Sequence, residues 1–152
     1  MKPVYFLALS TLASACQSHT CTAMGCAQGV TLEFAEQLVE EGEYTFTVTT
    51  EATTLTCVAF VPLRRDGSEP SCPSFSIHRE EITTRDDDAV SGKTGDAIVS
   101  VWISGEYDTL TIDVAHDGSS VLQEDVTPVY KGVEINGEGC GECPMATHTV
   151  GA

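Results

Sequence analysis

Apolar and polar residues alternate along short stretches of this chain, and turn-forming residues separate the stretches. Val30-Thr31-Leu32-Glu33-Phe34 and Tyr44-Thr45-Phe46-Thr47-Val48 each set every second residue, an apolar one, on a single side. A period of two is that of a β-strand with one buried face. Leu55, Cys57, Ala59 and Val61 continue the series in a third strand, which Pro62 ends because it offers no donor to a ladder. Between the first two strands, Gly42 and the crowded glutamates from Glu36 to Glu43 read as a loop. A polar loop is expected from Arg64 to Pro73, then a short strand around Phe75 and Ile77.

Arg85-Asp86-Asp87-Asp88 and Ser91-Gly92-Lys93-Thr94-Gly95-Asp96 read as turns. Ala97 to Ile103 is the most continuous apolar run and predicts a central strand, with Trp102 as its core anchor. Leu110, Ile112 and Val114 alternate with Thr111 and Asp113, and His116-Asp117-Gly118 supplies a hairpin, because Asp-Gly takes positive φ angles readily. The returning strand runs from Val121 towards Tyr130. About seven short strands with turns every eight to twelve residues predict an all-β chain folded as a single β-sandwich. The Asp-Gly hairpin between the last two long strands resembles the closing hairpin of immunoglobulin-like domains. That likeness covers Val30 to Tyr130 and lacks the Cys–Trp–Cys signature.

The opening residues follow a different pattern. Lys2 gives a positive start, Val4 to Leu9 an apolar core, and Leu12-Ala13-Ser14-Ala15 leads into Cys16. This is the layout of an export signal, too short for a permanent membrane span. Its last four residues resemble the lipobox of bacterial lipoproteins, which implies cleavage before Cys16 and acylation of that cysteine. Ordinary secretion with cleavage at the same Ala-x-Ala site is the rival. The expected organisation is a signal peptide at 1–15, an anchor cysteine and short tether at 16–29, a β-sandwich at 30–135 and a Gly/Cys-rich tail at 136–152. The four residues between Cys16 and Cys21 span roughly 15–18 Å at most, holding the domain near the lipid headgroups. Gln17 is not the acidic residue that signals inner-membrane retention in some bacterial lipoproteins, and by that resemblance the outer membrane is the expected address.

Seven cysteines are an odd number, and acylating Cys16 leaves six for three disulfides. The expected pairing is Cys57–Cys72, closing the loop after the third strand, with two links between the Cys21/Cys26 and Cys140/Cys143 pairs. The first and last strands of a sandwich often run close, so these end-to-end bridges would close the longest loops. The competitor joins Cys21 to Cys26 and Cys140 to Cys143 locally. Together with the lipobox, these cysteine motifs resemble those of small bacterial lipoproteins that have no assigned activity.

Charge narrows the partners. The net charge of −16 becomes −17 once Lys2 is removed, which argues against nucleic acid and against a polybasic membrane contact. A membrane held through the lipid anchor and a basic or cationic protein partner fit it better. Asp86, Asp87, Asp88 and Asp96 are calcium candidates, since they gather hard oxygen ligands on neighbouring loops without EF-hand spacing. Zinc on Cys21, Cys26, Cys140 and Cys143, with His19 or His148 as substitutes, would need reduced thiolates that an exported chain does not keep. A redox role for Cys140-Gly141-Glu142-Cys143 lacks the cationic setting a reactive thiol needs.

Ser91-Gly92-Lys93-Thr94 imitates the end of a phosphate loop, but Asp87 stands where its first glycine belongs and a strand follows. Neither a Gly-x-Ser-x-Gly elbow nor a His-Glu-x-x-His pair is present. His78 and His116 are expected on the surface, and Glu80 and Glu81 on opposite faces of a strand. The sequence therefore predicts a non-enzymatic, lipid-anchored envelope protein without a cofactor, acting as a structural or interaction module. A calcium-binding module is the alternative, and an uncatalogued hydrolase a weaker one.

Overall fold

In the computed structural model the residues described are 26–64, 72, 75–84, 93–134 and 140–151. Nine strands and no helix occur among them. The alternation converts directly into burial. In β2 (Gly42–Thr50), Tyr44, Phe46 and Val48 are buried while Thr45 and Thr47 are partly exposed. In β3 (Thr54–Val61), Cys57, Ala59 and Val61 face inward, as Leu110, Ile112 and Val114 do in β6 (Leu110–His116). β7 (Ser119–Val126) returns from the hairpin, where Asp117 has φ 47° and Gly118 φ 80°. These positive angles match the twist of the flanking strands, and Asp117 Oδ1 accepts the Glu43 N–H at 2.9 Å.

These four strands form one sheet in the order β3-β2-β6-β7. The other contains β1 (Gly29–Leu38), β4 (Phe75–Thr84), β5 (Lys93–Ser104), β8 (Lys131–Val133) and β9 (Cys143–Val150), in the order β4-β5-β1-β9-β8. β1 and β9 pair in parallel, and every other described pairing is antiparallel. The sheets face each other across a core that includes Leu32, Phe46, Ile98, Ile103 and Ile112, all at 0% exposure. Phe34 and Phe46 meet across it with ring centroids 5.9 Å apart. The fold is thus the expected all-β sandwich.

Several details differ from the sequence reading. Cys143–Val150 is not tail but β9, an interior strand with Cys143, Ala146 and Val150 buried. The hairpin therefore does not close the domain, because β8 and β9 cross over to the sheet that contains β1. Residues 93–96, expected in a turn, begin β5. β4 runs on past Arg79 to Thr84, through residues that are polar except for Ile82, and β1 continues to Leu38, shortening the expected loop. Trp102 is not the core anchor. Val101 and Ile103 take the inward positions, so Trp102 lies on the outer face between Thr31 and Ser76 of the neighbouring strands. Its indole sits where a side chain at Gly29 would stand, 2.6 Å from an added Cβ.

The two open flanks of the sandwich are clasped. On one, Cys57–Cys72 is a disulfide, Arg79 Nη1 donates to the Phe60 carbonyl at 2.8 Å, and the Leu63 N–H donates to Asp96 Oδ2 at 2.8 Å. On the other, Glu124 of β7 stands opposite Ile112 and so points between the sheets. Its carboxylate lies 3.2 Å from His148 Nε2 on β9 and accepts the Gly151 N–H at 2.8 Å. Those contacts hold the Glu124 carboxyl below its ordinary range, the backbone N–H contributing most and His148 next.

Cys26–Cys143 is a disulfide across a sequence separation of 117, so the link joining the two ends of the domain forms, and Cys143 does not pair locally with Cys140. Cys140 is also disulfide-bonded, to a partner outside the described residues.

Candidate functional site

Strand register divides the sandwich into two ends. Gly29, Thr50, Leu110 and Cys143 mark the near end; Leu38, Gly42, His116 and Val150 mark the far end. β1 joins them over roughly 30 Å at the usual rise of a strand.

At the far end the sheets do not close. β9 pairs with β1 only as far as Phe34↔Val150, and Gly151, with φ 78°, turns the chain away towards Glu124. β1 continues past that point without β9. Its register against β5 jumps from Glu33↔Ser100 to Leu38↔Ile98, so Phe34 to Gln37 bulge out opposite Val99. Between this bulge and β7 lies a recess of about 430 Å³, within the size range of small-ligand sites. Its floor is Phe34, Tyr44 and Val150, all buried, and Leu38 and Leu122 form its walls. Val39 and Val121 stand at the rim, 48% and 54% exposed, beside the carboxylates of Glu36 and Glu40. No lysine or arginine is among its lining residues. The nearby Arg64 lies over the Phe60 ring, 3.4 Å from its centroid, in a separate shallow groove.

His116 forms one side of the recess, and its side chain is only 15% exposed, which corrects the expectation of a surface histidine. Its ring stacks on Tyr44 at 4.6 Å. Nδ1 lies 3.4 Å from Glu40 Oε2, while Nε2 lies 3.2 Å from the Glu41 carbonyl and 3.7 Å from Asp117 Oδ2. Gly42 permits this approach: a Cβ there would stand 2.4 Å from Nε2, on a backbone with φ 151°. Burial, then the Glu40 carboxylate, pushes the Tyr44 hydroxyl up, so it stays protonated.

The partners of His116 among the described residues are two carboxylates and a carbonyl, and none is a hydroxyl or thiol that a general base would activate. The arrangement can hold positive charge next to an apolar floor. A second recess, at the near end, is lined by Glu51, Glu106, Asp108, Tyr107 and Tyr130. There the Tyr130 hydroxyl accepts the Tyr107 N–H at 2.7 Å, and the Tyr107 hydroxyl donates to the Ser104 carbonyl at 2.5 Å. These bonds occupy the two tyrosine hydroxyls.

The other candidates are scattered. His78, Glu80 and Glu81 are exposed on the edge strand β4 and do not line the far-end recess, although Glu80 Oε2 accepts a hydrogen bond from Gln37 Nε2 at its edge, at 3.3 Å. Asp96 caps the Leu63 N–H, while Asp86, Asp87 and Asp88 lie outside the described residues, as do Cys16, Cys21 and His19. No three His, Cys, Asp or Glu side chains converge as a metal site would need among the described residues. Cys26 and Cys143 are oxidised and supply no thiolates. Sequence reasoning missed Glu124, one acid among 23, and the recess itself, which draws on five separate strands and turns.

Fold and recess together define a disulfide-braced β-sandwich with an acid-rimmed, apolar-floored opening between its sheets. No protein-family model, no curated protein and no solved structure matches the chain.

Proposed function

We propose that this chain is a lipid-anchored protein of the bacterial envelope, held by an acylated Cys16, that acts by binding and not by catalysis. The observation that carries the reading is the oxidised cysteines. Cys57–Cys72 and Cys26–Cys143 are bonds of an oxidising, extracytoplasmic compartment, and an export signal ahead of them supplies the route. The binding role draws support from the far-end recess, which combines apolar floor, acidic rim and a histidine engaged by carboxylates. On an anchored chain the near end would face the lipid and the recess would open away from it, towards partners. The outer membrane is the proposed address, on the strength of Gln17.

Mass spectrometry of the mature N-terminus, from protein extracted with the membrane fraction, tests this. The expected peptide begins at an acylated Cys16. An intact Met1, or an unmodified Cys16 on protein recovered in the soluble fraction, would refute the anchor.

A further inference from the structure

We infer that the far-end recess receives a lysine or arginine side chain displayed between apolar residues on a partner protein. The inference rests on taking the recess as the binding face, and it names the partner's chemistry. Three observations converge. The floor of Phe34, Tyr44 and Val150 is buried, and the volume of about 430 Å³ is large enough to take an alkyl stem, which lysine and arginine bury readily while their charged heads stay in a polar setting.

At the mouth, where such a head would lie, stand Glu36 and Glu40; no lysine or arginine lines the recess, and His116 Nδ1 lies 3.4 Å from Glu40 Oε2 with Glu36 left beside it. On a surface with 23 acidic against seven basic side chains, that mouth favours a positive head and repels a carboxylate. Finally, Val39 and Val121, two of the five exposed large apolar residues described, flank the opening on opposite sides. Paired exposed apolar groups at a recess mark a contact surface, and their placement suits apolar residues on either side of the inserted cation.

The test uses the full chain in detergent micelles with three end-blocked peptides: alternating valine–lysine, the same with norleucine for lysine, and the same with glutamate. Backbone amide shifts of Leu38, Tyr44 and Leu122 are followed by NMR. The lysine peptide should shift them saturably, the norleucine peptide should bind at least tenfold more weakly, and the glutamate peptide should leave them unmoved. The double variant Glu36→Gln, Glu40→Gln should lose roughly tenfold in affinity for the lysine peptide at an unchanged melting temperature.

Equal binding of lysine and norleucine peptides would overturn the inference, as would shifts confined to other surfaces or full affinity in the double variant. So would phosphatidylethanolamine vesicles shifting these amides where the lysine peptide does not, since the occupant would then be a membrane headgroup. None of these outcomes touches the mass of the N-terminus, so failure here and failure of the anchor are read separately.

Discussion

Opening the Cys57–Cys72 bridge should weaken the fold by two separable amounts. The bridge closes a loop of sequence separation 15, and in the chain-entropy model a loop that short removes about 3 kcal/mol of freedom from the unfolded chain. Cys57 is also a core residue, 2% exposed and opposite Phe46 in the ladder, so deleting its sulfur leaves a small void worth about 1 kcal/mol. Cys72→Ala alone cuts the loop and keeps the Cys57 sulfur in place. Adding Cys57→Ala then creates the void.

Arg79 on the Phe60 carbonyl and Asp96 on the Leu63 N–H still clasp that flank, so the loss should fall on the unfolded chain and leave the native strands paired. For a domain of this size, 3 kcal/mol lowers the melting temperature by about 12 °C, and the second substitution by about 4 °C more. Urea unfolding followed by far-ultraviolet circular dichroism gives both steps. Cys72→Ala melting within 3 °C of the parent would refute the loop-closure account. A second step larger than the first would assign the bridge to core packing.

Three further perturbations probe other parts of the fold. Phe46→Ala empties the middle of the core, where the ring is 0% exposed and meets Phe34 and Tyr44; the cost should be about 3–5 kcal/mol by urea unfolding, and a loss under 1 kcal/mol would sink the assignment of the core. The Glu124 carboxyl sits below its ordinary 4.5, so its contribution is fully present above that pH and disappears as pH falls through the lower folded value. Glu124→Gln should accordingly lose part of the parent's acid sensitivity as pH falls below 4.5, and identical urea midpoints of the two proteins, relative to pH 7, would argue against it. Gly29→Ala drives a methyl to 2.6 Å from both the Ile103 carbonyl and the Trp102 ring, so it should cost about 1–3 kcal/mol and shift the emission of the chain's single tryptophan; an unchanged spectrum would count against that contact.

Much of this fold is legible wherever one strand face meets the core and the other meets water. Leu110, Ile112 and Val114 announce their burial by alternation, and Asp117-Gly118 announces its turn because few other pairs take two positive φ angles. The elements that escape have lost that contrast. β4 is an edge strand whose later half, from Arg79, has Ile82 as its one apolar residue, so its backbone pairing leaves no apolar rhythm. β5 is apolar at consecutive positions, which conceals which parity faces inward, and Trp102 falls on the outer one. β9 begins in a cysteine- and glycine-rich stretch and lies in the interior by pairing with β8 on one side and, in parallel, with β1 on the other, more than a hundred residues earlier. The recess is least legible of all. It exists because β1 overruns β9 and bulges against β5, and register mismatches of that kind depend on three strands at once.

The parallel seam between β1 and β9 also sets how the domain bears tension. Both strands start at the same end, joined by Cys26–Cys143, so a tug on the chain ahead of Cys26 is delivered to the pair together. If the opposing grip is a partner held at the other end, the load runs lengthwise along the ladders. Their hydrogen bonds are then sheared as a set and cannot be peeled singly. A molecule strung between two points in this way behaves as a strap, yielding last where its staple is.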